Sequence, residues 1–477
     1  MVARDITNFF IYRWRYVVGY SVIALLLAGL LVFAGLYVPG GISPEEMRAT
    51  VRSGDLSFSD PSTFGVTSLP FYLLQAGIFH LFGVYDFTIK LPSLILALLS
   101  AIGLILLLRR WFKPNIAVLT SLVAITTGQF LFIAQNGTPG ILYVFWPIVL
   151  LLLGTQVTRA KKGRRFWKLS FAAAAALSLY TPLSIYPLLA ITLAVSLHPH
   201  LRNILRRLSR VGIALSIATA AIVLAPLVYL MTITPRLALS LIGAPATWPP
   251  DLGANVMTLV RQFLLFWEPS TTTLMTPVFG LGSLLIIGLG IYRLILTRET
   301  TRSYLIITWI ICLLPILILN PTFTSVTFVP SVLLLAAGLT SLIMYWYRLF
   351  PLNPYARIVG LIPIIILVVT LIGSGIDRYV YGYHYAPNTV VNFSKDLSLI
   401  PPKTTHLVVS ASQLSFYTTV AHYRTGLVVT LTPTTDQFVA TREARGTIPS
   451  NYQITRIITT TTTNDSDRLY IYKKVTQ

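Results

Sequence analysis

The residues best suited to chemistry sit in one short stretch, Gly40-Gly41-Ile42-Ser43-Pro44-Glu45-Glu46-Met47-Arg48, directly after the first long apolar run. Ser43 suits a helix N-cap, Pro44 suits the first helical position, and Ser43-x-x-Glu46 has the form of a capping box. Capping by itself explains Glu46. Glu45 has no such duty, although an acid in a first turn also gains from the helix dipole. Position supplies a second use for it. A carboxylate close to a membrane face is partly desolvated, and desolvation raises its pKa towards that of a working general base. Arg48, Arg52, Arg236 and Arg261 are nearby candidate cations, able to grip a phosphate. Lys90 and His80 complete the set, each with a plainer use as an interfacial side chain.

These residues need elements to hold them, and composition says which kind. The 477-residue chain is 55% hydrophobic and only 11% charged, and its mean hydropathy is +0.74. Soluble domains carry about a quarter charged residues. A soluble cytoplasmic enzyme and a disordered chain are both excluded. The net charge of +21 would suggest nucleic acid in a soluble protein. Here the basic residues fall in short runs between apolar stretches, the pattern of cytoplasmic loops, so no nucleic-acid partner is expected. The single cysteine, Cys312, lies in an apolar run and leaves no disulfide framework.

Charge also sets the topology. The basic clusters are Arg109–Lys113, Arg159–Lys168, Arg202–Arg210, Arg293–Arg302 and Arg348–Arg357. If Thr67–Gly83 does not cross the membrane, all of them lie on the same side as Arg13 and Arg15. If it crosses, all of them move to the other side. The positive-inside bias favours the first arrangement, so Thr67–Gly83 is read as an amphipathic helix at the outer surface. The expected spans are Tyr16–Tyr37, Thr88–Leu108, Ile116–Ala134, Pro139–Gln156, Trp167–Thr181, Pro182–Leu197, Val211–Met231, Thr276–Leu296, Ser303–Leu319, Phe328–Tyr345 and Ile358–Gly375, about eleven in all. Trp167–Thr181 and Pro182–Leu197 are too short to cross fully, which places their tip, Tyr180-Thr181-Pro182, below the outer surface beside a cavity.

The fold expected is an all-α polytopic membrane domain over 1–376, with long outer loops at 38–87 and 235–275, and a small extracytoplasmic α/β domain over 377–477. In that last part Asn388–Ser398 looks helical, Thr405–Ser410 and Leu427–Leu431 look like strands, and Ile454–Thr462 with Arg468–Lys474 looks like a closing hairpin. The aromatic run Tyr379–Tyr385 is read as an interfacial belt. The amino end is cytoplasmic and the protein sits in the cell membrane as a multi-pass chain. No Walker loop, HExxH or nucleotide-binding glycine signature occurs, and no charge lies mid-span to mark an ion path.

The order of features resembles a known family. An acidic pair after the first span, a surface helix with Leu69-Pro70-Phe71-Tyr72 ending in Leu81-Phe82-Gly83, and Lys90-Leu91-Pro92-Ser93 at the second span resemble the GT-C-type membrane glycosyltransferases. The branch is that of the protein O-mannosyltransferases and the lipid A aminoarabinose transferases. The resemblance is clearest from Tyr16 to Trp146 and continues by layout through the remaining spans and the tail.

It implies an inverting transfer of a hexosyl or pentosyl group from a polyprenyl-phosphate carrier to a protein, lipid or glycan hydroxyl at the outer face. Glu45 would be the base, Glu46 its partner, and Lys90 a phosphate contact where the family has Arg. Arg48, Arg52, His80, Arg236 and Arg261 are the further substrate-binding candidates. The pair here is Glu-Glu where the family has Asp-Glu, and a family acid opening the fourth span is replaced near Thr138-Pro139. A second carboxylate would then come from Asp55, Asp60 or Asp251. No cofactor is implied with certainty. A divalent metal on Glu45 and one more acid would be held by few protein oxygens. The alternative is a non-catalytic relative that binds or flips the polyprenyl lipid.

The topology makes a direct prediction. A reporter fused after Lys113 should read cytoplasmic. An external reading would mean that Thr67–Gly83 spans, and would move Glu45 away from the face where a lipid-linked donor is used.

Overall fold

The computed structural model describes residues 41–57, 59–160, 163–206, 210–245, 247–265, 274–349, 359, 361–384, 386–459 and 467–475, with six positions of the first apolar stretch. The expected span Tyr16–Tyr37 otherwise lies outside the described residues, as do parts of the basic clusters.

Helices dominate. Two helices come ahead of the long apolar ones described below, α1 (Pro44–Gly54) and α2 (Leu69–Phe82). Then follow α3 (Asp86–Trp111), α4 (Pro114–Ile125), α5 (Gly128–Gln135), α6 (Leu142–Arg159), α7 (Arg164–Ser178), α8 (Ile185–Leu197), α9 (Pro199–Arg206), α10 (Arg210–Ile233), α11 (Arg236–Ile242) and α12 (Leu252–Leu264). The second half has α13 (Leu281–Leu296), α14 (Thr301–Leu319), α15 (Phe328–Leu349), α16 (Leu361–Asp377), α17 (Pro387–Asn392) and α18 (Leu414–His422).

Among the described residues six segments are long and apolar enough to cross a membrane: Asp86–Trp111, Pro139–Arg159, Arg210–Ile233, Thr301–Leu319, Pro321–Leu349 and Ile362–Tyr383. The chain is a multi-pass membrane protein. The expected span Ile116–Ala134 is broken: α4 and α5 meet at 60°. Thr127 leaves the helical region (φ −62°, ψ 138°) and its hydroxyl caps α5 by accepting from Phe130 N–H. The break turns Gln129 inward, where its Oε1 accepts from Met275 N–H and its Nε2 donates to Ser325. Polar backbone at that depth is tolerable because protein surrounds it. The 14-residue α2 rises only about 21 Å, too little to cross, and it buries Leu69, Phe71, Tyr72, Gln75, Ile78 and Phe79 along one side.

The basic ends of the helices meet at one end of the bundle. The Arg159 guanidinium donates to the Arg110 carbonyl at 2.8 Å, and that of Arg302 donates to the Trp111 carbonyl at 2.5 Å. Both contacts join α3, α6 and α14 at the end opposite the start of α3, so the clusters at 109–113, 159–168 and 293–302 share one face.

The carboxyl-terminal unit is a five-stranded sheet in the order β2-β1-β3-β5-β4, built from β1 (His406–Val408), β2 (Val428–Thr430), β3 (Gln437–Thr441), β4 (Tyr452–Thr459) and β5 (Arg468–Lys474). Strand β1 runs parallel to β2 and β3, and β5 runs antiparallel to β3 and β4. Strand β3 and helix α18 were not expected from the sequence. The helix expected over Asn388–Ser398 shortens to α17, and Leu397–Leu399 forms one 3₁₀ turn. The sheet unit shares a core with the start of the membrane region: Ile42, Phe79 and Ile89 pack with Leu407, Phe416, Tyr417 and Leu469. Ile42 and Lys395 pair as an isolated antiparallel bridge.

Close helix packing carries a test. A Cβ on Gly290 of α13 would stand 2.0 Å from the Leu334 carbonyl oxygen, and one on Gly338 of α15 would stand 2.0 Å from that of Ile286. Backbone oxygens cannot rotate away, so the helices must part. Gly290→Ala should cost about 1–3 kcal/mol, read as a lower melting temperature in detergent. Gly288→Ala, with open space around it, should leave the melting temperature unchanged.

Candidate active site

The expected helix at Pro44 forms, and its capping box is complete. Ser43 Oγ accepts from Glu46 N–H at 3.2 Å, and Glu46 Oε2 accepts from Ser43 N–H at 2.8 Å. Glu46 does more than cap. Its carboxylate is fully buried, and its Oε1 accepts from Gly137 N–H at 2.7 Å and lies 3.5 Å from Lys90 Nζ. Lys90 is buried too, donates to the Gly41 carbonyl at 3.0 Å, and stands 5.4 Å from the Phe393 ring centroid. The close fit is built into the chain. A Cβ on Gly137 would meet the Ile89 carbonyl oxygen at 2.7 Å, and one on Gly41 would meet that of Phe393 at 2.1 Å.

A polar network of uncharged side chains supports this pair. Ser53 donates to Gln75, whose Nε2 donates to the Ile89 carbonyl at 2.9 Å, and Ser93 donates to the Asn136 carbonyl at 2.6 Å. The turn at Asn136-Gly137-Thr138 supplies the N–H that holds Glu46.

Glu45 is one residue away and differs in every respect. Successive residues of an α-helix point about 100° apart, so if Glu46 faces inward Glu45 cannot. Its side chain is 28% exposed and its only ion-pair partner among the described residues is Arg48, at 3.8 Å. Burial pushes the Glu45 carboxyl above the usual carboxylate range, and the Arg48 guanidinium partly opposes that.

The structure separates the expected cations. Arg48, Arg52, Arg236 and Arg261 are all exposed. Arg48 and Arg52 share α1 with Glu45, and Arg52 donates to the Tyr72 hydroxyl at 3.3 Å. Arg236 opens α11 and Arg261 closes α12. His80 is at the other end of α2, with its ring 5.3 Å from that of Tyr423. Lys90 does not project towards solvent; its ammonium is committed to Glu46 and Gly41. Of the suggested second carboxylates, Asp60 and Asp251 are N-caps on their own local backbone, and Asp55 is an exposed residue closing α1. Among the described residues no group of three His, Cys, Asp or Glu side chains converges. Both Glu46 oxygens are taken by N–H donors or the ammonium, so Glu45 and Glu46 do not form the oxygen cage that a hard cation needs.

The sequence reading missed one cation. Tyr379 and Tyr383, expected in an interfacial belt, are buried, while Tyr381 is exposed. Tyr383 packs edge-on against Phe132 at 4.9 Å and Phe393 at 5.6 Å. This brings Arg378 beside α5. One guanidinium nitrogen of Arg378 and the Tyr383 hydroxyl are buried with no hydrogen-bond partner, and the buried Tyr379 hydroxyl lies beside the Gln135 amide. Buried polar groups are nearly always paired, so this cluster is one that a polar ligand would complete. The signal in sequence was a lone Arg inside an aromatic run.

The walls around α1 come from three further segments. The Tyr180–Pro182 tip accepts Ser68 N–H at the Tyr180 carbonyl, 2.7 Å, and Trp146 Nε1 donates to Thr181 at 3.0 Å. Leu183, at a positive φ of 61°, donates its N–H to the Leu241 carbonyl of α11. These hydrogen bonds join the tip to the start of α2, to α6 and to the end of α11.

The two acids should separate under mutation. Breaking one side of a buried pair costs about 3–5 kcal/mol, so Lys90→Met and Glu46→Gln should both lower the melting temperature sharply. This departs from the mild effect that capping alone would give Glu46→Gln. Glu45→Gln, at a half-exposed site, should shift stability by less than about 0.5 kcal/mol. Equal melting temperatures for Glu46→Gln and the parent would contradict the buried pair.

Residues 68–230 match the family model for dolichyl-phosphate-mannose-protein mannosyltransferase. No curated protein matches the chain by sequence. In fold it is similar to ArnT from Cupriavidus metallidurans bound to undecaprenyl phosphate, with 13% identity and a TM-score of 0.58, covering 95% of this chain and 97% of that one. The apo state of the same protein gives 13% identity and a TM-score of 0.57, covering 96% and 98%. The chain thus matches the mannosyltransferase family model over residues 68–230 and shares the fold of ArnT along almost its whole length.

Proposed function

We propose that the protein transfers a sugar from a polyprenyl-phosphate carrier to an acceptor hydroxyl at the outer membrane face, with inversion, and that Glu45 is the general base. The observation that carries this reading is the contrast within the acidic pair. Glu46 is consumed by the fold, whereas Glu45 is left half-buried with a raised pKa and no backbone donor on it. A base that must take a proton from a hydroxyl works best with a pKa raised towards ambient pH.

The chemistry is one displacement. The acceptor oxygen forms the new bond to the anomeric carbon as Glu45 removes its proton. The bond from that carbon to the carrier phosphate breaks, and its electron pair leaves on the phosphate. The leaving phosphate needs a cation beside it. Arg378 fits, with one buried guanidinium nitrogen that no hydrogen bond takes up. The carrier class is supported by the similar ArnT, which was crystallised with undecaprenyl phosphate.

Glu45→Gln keeps the size but removes the proton acceptor, so turnover should fall by roughly 10²–10⁴-fold with the melting temperature unchanged. The parent's activity should rise with pH as Glu45 ionises, with that limb above the usual carboxylate range. Arg48 favours the ionised form, so Arg48→Ala should move the limb to still higher pH. If Glu45→Gln turns over at the parental rate, the carboxylate is not the base. If the parent transfers nothing from any polyprenyl-linked sugar, the protein is a lipid-binding relative without catalysis.

A further inference from the structure

At the basic end of the bundle, about 39 Å along α3 from the Glu45 end, a two-lobed cleft lies between α6, α8 and their neighbours. One lobe, about 400 Å³, runs from Trp111 past Thr155 and Arg159 to Thr301 and Arg302. The other, about 370 Å³, is bounded by Lys168, Phe171, Ala172, Ile213 and Ile217. Gly154, Thr158, Ile191, Val195 and Leu201 line both lobes, so the two are continuous.

Their chemistry differs. The second lobe is apolar apart from Thr158, Ser216 and Lys168. It reaches the flank of α10, where Ile213 and Ile217 are exposed on a helix that the bundle scarcely covers. An opening on that flank faces hydrocarbon. The first lobe gathers positive charge. Arg159 and Arg302 line it, and Thr300 and Thr301 bring the positive end of the 19-residue α14 to its wall. Lys168 is buried at the edge of the apolar lobe. Among the described residues no carboxylate pairs with Arg159, Lys168 or Arg302.

Lys168, its side chain packed against the apolar lobe, brings a third positive charge to the cleft. A cleft that is cationic at one end, apolar at the other, and open to the bilayer fits a molecule with the same division. We propose that this cleft binds one anionic glycerophospholipid, its phosphate diester among Arg159, Lys168 and Arg302 and an acyl chain in the lobe between α7 and α10. This site is separate from the Glu45 site and does not depend on the transferase reading. Its occupant would fasten α7 and α10, which contribute little to the main core, to α6.

The test is lipid retention by the full-length protein in nanodiscs of equal phosphatidylglycerol and phosphatidylcholine, followed by mild delipidation and native mass spectrometry. One tightly retained phosphatidylglycerol per protein is expected. Each basic side chain near an anionic headgroup is worth about fivefold, so Arg159→Gln with Lys168→Met should reduce the preference about 25-fold. Arg159→Lys with Lys168→Arg should restore it. Ala172→Phe, which fills the apolar lobe without touching charge, should also release the lipid and gives a second reading if the charge variant fails to fold. Soluble glycerol phosphate should not compete, since it lacks the chain. Equal retention of phosphatidylcholine, unchanged retention in both variants, or full competition by glycerol phosphate would each overturn the proposal.

Discussion

The arrangement around the site depends on one buried carboxylate. Glu46 has no exposure, and an unpaired charge there would be prohibitive. Three groups satisfy it, and they come from separate parts of the chain: the Ser43 N–H at the start of α1, the Gly137 N–H between α5 and α6, and the Lys90 ammonium of α3. Because Lys90 also holds the Gly41 carbonyl, the backbone entering α1 is fixed from both sides. Phe393 closes over Lys90, and Ile42 pairs with Lys395 next to it. The carboxyl-terminal unit is therefore seated on the same few residues that orient the acidic pair.

That arrangement explains how two identical neighbouring side chains acquire opposite uses. The inward one is held by geometry, with both of its oxygens bonded to donors. The other is left at the edge of the protein, partly desolvated, with one arginine to moderate it. The catalytic candidate is positioned by the structural one. In the same way the break at Thr126–Thr127 sacrifices a continuous span and gains an inward-facing Gln129. At the end of α16, Gly375 lies so close to the Thr126 carbonyl that there is no room for a Cβ, and it helps to bury that turn.

Much of this was legible in the chain. Hydropathy gave the helices, charge placement gathered the basic ends, and Ser43-Pro44-Glu45-Glu46 announced a capped helix because capping is local chemistry. What was not legible depended on distant partners. Lys90 read as a snorkelling or phosphate-binding cation since nothing near it in sequence reveals Gly41 and Glu46 as its neighbours. Arg378 was hidden in a run of tyrosines whose exposure alternates only because one side packs on Phe132 and Phe393. Strand β3, Gln437–Thr441, is short and opens on polar residues, and only its pairing with β1 and β5 makes it the middle of a sheet.

The account rests on the claim that the acidic pair and the Arg378 cluster serve a lipid-linked sugar and not a nucleotide-linked one. The most direct measurement offers the purified protein a radiolabelled sugar on polyprenyl phosphate, and separately the same sugar on a nucleotide, and follows label into the acceptor. The account predicts transfer and release of polyprenyl phosphate from the first donor alone. Transfer from the nucleotide donor, or none from a panel of polyprenyl-linked sugars, would contradict it.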